Sequence, residues 1–81
     1  MDTCSVDREL DIRGEVCPYT FVKTKLALEE MTPGQVLRVL VDYEPAIKNV
    51  PRSVSLQGDH VVSVEMCGVS QWAITVQKRA P

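Results

Sequence analysis

The stretch Val36-Leu37-Arg38-Val39-Leu40-Val41 constrains the fold more than any other part of this chain. Six residues of nearly unbroken aliphatic and β-branched character fit a strand in the interior of a sheet, covered on both sides or nearly so. An interior strand needs neighbours at both edges, and the flanking sequence has to supply them.

On the N-terminal side, Leu10-Asp11-Ile12 alternates like a short strand with one buried face, and Arg13-Gly14 breaks it. The period then changes. Phe21, Thr24, Leu28 and Met31, with Ala27 beside them, are spaced as one face of a helix running from Pro18 to Met31. Pro18 suits the first helical position because its missing N–H has no intrahelical partner there, and Thr32-Pro33-Gly34 ends the segment. On the C-terminal side, Ile47, Val50 and Val54 mark a second helix that opens near Pro45 and stops at Gly58, with Pro51 expected to kink or restart it. Two strands follow, His60–Met66 and Gln71–Gln77, joined by the four residues Cys67-Gly68-Val69-Ser70. Val62, Val64 and Met66 are expected on one face, as are Trp72, Ile74 and Val76. The order βαβαββ predicts an α/β (α+β) two-layer sandwich, with a four-stranded mixed sheet and both helices on one face, since crossovers of one hand place them on the same side.

The 81 residues leave room for one domain, read as 1–81 with an ordered core of about 8–78. A composition 44% hydrophobic and 25% charged is that of a globular chain and excludes a disordered tail protein. With 9 Lys+Arg against 11 Asp+Glu the net charge is −2, which argues against nucleic acid as a partner. No apolar run approaches the roughly 18 residues of a spanning helix, and Met1 to Leu10 has no signal-peptide core, so the chain reads as cytoplasmic and not membrane-embedded. Three cysteines, Cys4, Cys17 and Cys67, fit neither a disulfide framework nor a zinc site, and no metal is expected. Thiols kept reduced in the cytosol point instead to at least one of them serving by its reactivity.

Cys17 is the candidate, because it stands at the expected N-cap of the first helix, directly before Pro18. Unpaired amides and the helix dipole favour an anion there, and a thiolate is the reactive form of cysteine. The same position suits a persulfide anion or the oxygens of a small sulfur oxyanion. The alternative is a small apolar residue that closes the strand–helix junction.

The longer block Leu10-Asp11-Ile12-Arg13-Gly14-Glu15-Val16-Cys17-Pro18 resembles the opening signature of the TusA/SirA-like family of small sulfur carriers. Lys23-Thr24-Lys25, Ala27-Leu28, Met31-Thr32-Pro33-Gly34, Val50-Pro51 and Gly58 continue the likeness to about Lys78. The resemblance implies a two-layer sandwich and a sulfurtransferase in which Cys17 carries sulfur as a persulfide, with no cofactor. Two features depart from the family pattern. Cys17-Pro18-Tyr19-Thr20 has Thr20 where a second proline is usual, and Gly58-Asp59-His60 stands where Gly-His is common, so His60 receives no role. The Cys-Pro-Tyr-Thr block looks like the branch associated with membrane uptake of thiosulfate. Thiosulfate or another sulfane-sulfur donor, sulfur-relay proteins and a thiosulfate-uptake transporter are the implied partners.

Thr20 adds a hydroxyl able to reach the Cys17 sulfur, and Arg13 beside the Gly14 turn is a candidate to face the thiolate. Lys25, and less so Lys23, are candidates to attract an anionic substrate or acidic partner. Pro18 and Tyr19 flank the nucleophile as partner contacts. Val22 and Leu26 form a second apolar stripe, read as packing against the second helix or, alternatively, as a docking surface. Asp42, Tyr43 and Glu44 are read as capping the second helix rather than as acid-base groups, Cys67 as a strand residue or resolving thiol, and Cys4 as incidental. The competing function is a non-catalytic binding or regulatory module that docks on a sulfur transporter or sulfur-metabolism enzyme.

Overall fold

The computed structural model describes residues 6–16 and 19–79. Its elements are β1 (Arg8–Asp11), α1 (Tyr19–Glu29), β2 (Val36–Val41), α2 (Ala46–Leu56), β3 (His60–Gly68) and β4 (Gln71–Gln77). They form the expected α+β arrangement, with a four-stranded mixed sheet in the order β1-β2-β4-β3. β1 runs parallel to β2, and β4 runs antiparallel to both β2 and β3. The carboxyl ends of β1, β2 and β3 therefore meet at one end of the sheet, and that end leads into α1.

The interior strand is the one its composition predicts, but it is covered on one face only. Leu37, Val39 and Val41 are fully buried, whereas Val36, Arg38 and Leu40 alternate with them and stay half-buried. Both helices lie on the Leu37 side, so the opposite face keeps water contact, and Arg38 reaches Glu9 across it at 3.6 Å. Beneath the helices, Val39 and Leu37 sit opposite Ile74 and Val76, and this row meets Ala27, Leu28, Val50 and Val54 to form the core. Fully burying side chains of this size stabilises the fold by about 1.5–3 kcal/mol each.

Three details differ from the sequence reading. α2 is one helix across Pro51, which neither ends nor restarts it, and it closes with Gly58 N–H on the Ser55 carbonyl (3.0 Å) and Asp59 N–H on the Val54 carbonyl (3.1 Å). β3 extends to Gly68, opposite Gln71, so the hairpin turn is two residues, with Ser70 at φ 54°. A bulge between Val61 and Ser63 breaks the expected alternation: Val61 pairs with Val76 against the core, while Val62 is 43% exposed.

Candidate functional site

The Cys17 and Pro18 assignments, like that of Cys4, lie outside the described residues; the residues that lead into and out of the Cys17 segment do not. Parallel pairing of β1 with β2 continues one residue beyond the strand, with Ile12 N–H on the Leu40 carbonyl at 3.0 Å. The chain then turns sharply. Glu15 N–H returns to the Ile12 carbonyl at 3.1 Å, and Gly14 adopts φ +94°, a conformation that favours glycine.

That turn is tied from two sides. Gly14 N–H donates to Asp42 Oδ1 at 2.8 Å, which links the loop to the end of β2. Lys23 Nζ contacts Glu15 Oε2 at 2.7 Å, which links it to α1. Asp42 is thus not a helix cap: α2 opens through backbone bonds such as Ala46 N–H to the Tyr43 carbonyl (2.9 Å), with no side-chain cap. The role of Asp42 has a topological signal. Residues that follow two adjacent parallel strands meet at the same sheet end, where a turn amide needs an acceptor.

On the far side of Cys17, the Val16 carbonyl accepts both Tyr19 N–H (2.8 Å) and Thr20 N–H (3.3 Å). Those two amides are therefore occupied, contrary to the expectation of a fringe of free donors at the helix start. Tyr19 is 57% exposed, whereas Thr20 is fully buried and its Oγ1 has no hydrogen-bond partner.

The other candidates are spread around this end and beyond it. Arg13 grips Asp11 through Nε (2.8 Å) and Nη2 (2.6 Å), and its amide also reaches that carboxylate at 3.2 Å. These bonds pull the Asp11 carboxyl down to about 2, and the same carboxylate holds the guanidinium above its ordinary value. Arg13 Nη1 lies 3.4 Å from Gln71 Oε1, and its charge also senses Cys67 and Asp42, so exposed Cys67 belongs to this end of the sheet. His60 starts β3 at the opposite end, across from Gln77. Lys25 is half-buried in an open cleft near the other end of α1, with Leu28, Glu29, Lys78 and Arg79. There Lys78 Nζ donates to the Leu28 carbonyl at 2.6 Å, a cation on a helix C-terminus.

Val22 and Leu26 are 42% and 53% exposed, so each keeps a large part of its surface in solvent. With Tyr19 at helical spacing and Val16 before the helix, they form an apolar strip beginning beside Cys17 in the chain. No cluster of three potential metal-binding side chains exists among the described residues, and no helix among them is long and apolar enough to cross a membrane.

Comparison with known proteins yields a consistent set of matches. Residues 8–78 match the family model described as sulfurtransferase TusA. A candidate sulfur carrier protein of Archaeoglobus fulgidus is 57% identical over 70 residues, covering 86% of this chain and 80% of that protein. The candidate sulfur carrier TsuB of Escherichia coli is 33% identical over 73 residues, covering 90% and 97% of the two chains. The crystal structure of a SirA-like protein from Desulfitobacterium hafniense superposes with a TM-score of 0.79 at 25% identity, covering 89% of this chain and 97% of that one.

Proposed function

Since this chain belongs to the TusA family of sulfur carriers and sulfurtransferases, we propose that Cys17 is its nucleophile and carries sulfur as a persulfide. The observation that carries this reading is the bracing of the chain on both sides of Cys17: Gly14 from β2, Glu15 from α1, and Val16 by the first turn of α1. A nucleophile whose chain neighbours are held on both sides has less freedom to lose before attack. The small size of the protein suits delivery into a larger partner.

Thiosulfate is the donor we propose, on the likeness of Cys17-Pro18-Tyr19-Thr20 to the thiosulfate-uptake branch. The Cys17 thiolate attacks the outer sulfur. A sulfur–sulfur bond forms to Cys17, the bond to the central sulfur breaks, and sulfite leaves with the electron pair, so charge and atoms balance. The thiolate of a relay protein then attacks the outer persulfide sulfur, takes it over and regenerates the Cys17 thiolate. The strip Val16, Tyr19, Val22 and Leu26 is the surface proposed to hold that partner. Its adjacent cation Lys23 is already paired with Glu15, which favours an apolar rather than an acidic counterpart.

Incubation of the reduced protein with thiosulfate should add about 32 Da, one sulfur atom, to the peptide containing Cys17, with release of sulfite. Absence of the adduct with thiosulfate, together with full sulfur transfer by a Cys17→Ser protein, refutes the nucleophile. Retained partner binding by that variant without transfer is expected, because the docking strip lies on α1. If Cys17→Ser instead preserves both binding and function in cells, the protein is a docking module and not a carrier.

A further inference from the structure

We propose that the outer edge of β3 is a self-association surface, by which two copies of this chain join into one continuous sheet across a two-fold axis at Val64. The sheet order β1-β2-β4-β3 leaves two edges, and they are built differently. β1 has four residues, of which Arg8, Glu9 and Asp11 are charged; short, charged strands are how folded chains keep an edge from pairing. β3 has nine residues and is the longest strand, with Glu65 the one charged side chain from Val61 to Gly68 and neither lysine nor proline along it. Among the described residues β4 is the one strand that pairs with β3, so the backbone groups on the other side of β3 have no ladder partner.

The apolar side chains of β3 are left open as well. Val64 and Met66 stand opposite Ile74 and Trp72 on the face that carries the helices, yet they are 41% and 69% exposed, so the helix layer stops short of them. The strand is its own complement. An antiparallel two-fold at Val64 sets Val64 against its own copy, Val62 against Met66, and Ser63 against Glu65. Apolar side chains then meet apolar ones, and the Ser63 hydroxyl is matched with the Glu65 carboxylate across the seam. Neighbouring registers lose this: an axis at Glu65 opposes two carboxylates, and one at Met66 sets Val64 against Gly68. The irregularities at Val61/Ser63 and Met66/Gly68 fall at the two ends of the segment and leave Ser63–Met66 regular between them. A strand of another protein has no use for this symmetry, which makes a second copy the occupant. The seam lies at the edge remote from β1, whose end leads to the Cys17 segment, so it leaves that turn uncovered in both copies.

The test is sedimentation equilibrium of the reduced full chain from micromolar to millimolar concentration, where the mass should rise from that of one chain toward twice that value. Val64→Lys should raise the dimer dissociation constant at least about tenfold, because two cations then face each other on the axis in place of two buried valines. Its melting temperature, read at a concentration where both proteins are monomeric, shows whether the variant still folds. Should it fold poorly, a second pair of variants reads the register directly. In a chain carrying Cys4→Ser, Cys17→Ser and Cys67→Ser, Val64→Cys should link to its own copy on oxidation by oxidised glutathione, since directly opposed residues lie within disulfide reach. Val69→Cys, at the hairpin tip and 93% exposed, is the more accessible thiol but lies off the axis, so it should link more slowly. A single-chain mass at every concentration overturns the proposal. So does a dimer that folded Val64→Lys leaves intact, and so does linking of Val69→Cys as fast as Val64→Cys.

Discussion

Gly14→Ala separates backbone conformation from packing in the turn that leads to Cys17. An added Cβ at Gly14 meets nothing within 4 Å, so the substitution costs no steric overlap with its surroundings. The cost is conformational, because φ +94° lies where L-residues are rarely found, and such a residue costs about 1–3 kcal/mol. Replacing glycine also restricts the unfolded chain, which offsets about 0.4–1 kcal/mol. At the middle of both ranges the net loss is about 1.3 kcal/mol, and at roughly 4–8 °C per kcal/mol for a domain of this size the melting temperature falls by about 5–10 °C. Gly34 is the control, with φ +89° and open space around its Cβ position, but it lies in the turn before β2, away from the Cys17 segment. Gly34→Ala should therefore cost similar stability. Only Gly14→Ala should also slow sulfur acceptance by Cys17, because relaxing φ moves the amide held 2.8 Å from Asp42 Oδ1. Circular-dichroism melts paired with the rate of Cys17 persulfide formation give both readouts. An unchanged melt for Gly14→Ala, or an equal slowing by Gly34→Ala, refutes the reasoning.

Two other outcomes are expected. Val22→Asp and Leu26→Asp change exposed positions and should leave stability within about 0.5 kcal/mol, while each weakens binding to a sulfur-relay protein by at least about 1.4 kcal/mol, a tenfold rise in Kd by calorimetry. That affinity should change little between low and high salt, since the strip is apolar and the adjacent Lys23 is paired with Glu15; a steep salt dependence points instead to docking by unpaired cations. The Asp11 carboxyl, held down to about 2 by Arg13, contributes stability that is fully present above its ordinary value of 3.8 and is lost as pH falls from there through about 2. Asp11→Asn should therefore flatten the acid limb of a melting-temperature profile between those pH values; the pair is exposed, so the effect is small and shrinks with salt.

Much of the architecture is legible in residue order because it rests on local periodicity. The run Val36–Val41 marks an interior strand, α1 buries Thr24, Ala27 and Leu28 of the expected face while Phe21 stays half-buried, and β4 spans Gln71–Gln77 as its alternation requires. The misreadings occur where a partner from elsewhere decides. Helices on only one face leave Arg38 and Leu40 half-buried, and the Val61/Ser63 bulge reassigns the faces of β3, because pairing with β4 and not the strand's own pattern sets the register.

The region around the candidate site divides the same way. The sequence alone determines that Cys17 precedes Pro18 at a strand–helix junction, and its motif identifies the family, since both depend on neighbours along the chain. Tertiary structure decides what braces the junction. Asp42 reaches Gly14 only because β1 and β2 are adjacent and parallel, Arg13 is drawn to Asp11, and Lys25 is carried by the rotation of α1 into a cleft near the helix's other end. Thr20 is buried without a partner because two amides converge on one carbonyl. Hydrogen bonds between groups remote in sequence depend on direction and distance, quantities set by the packing of strands and helices rather than by the order of residues.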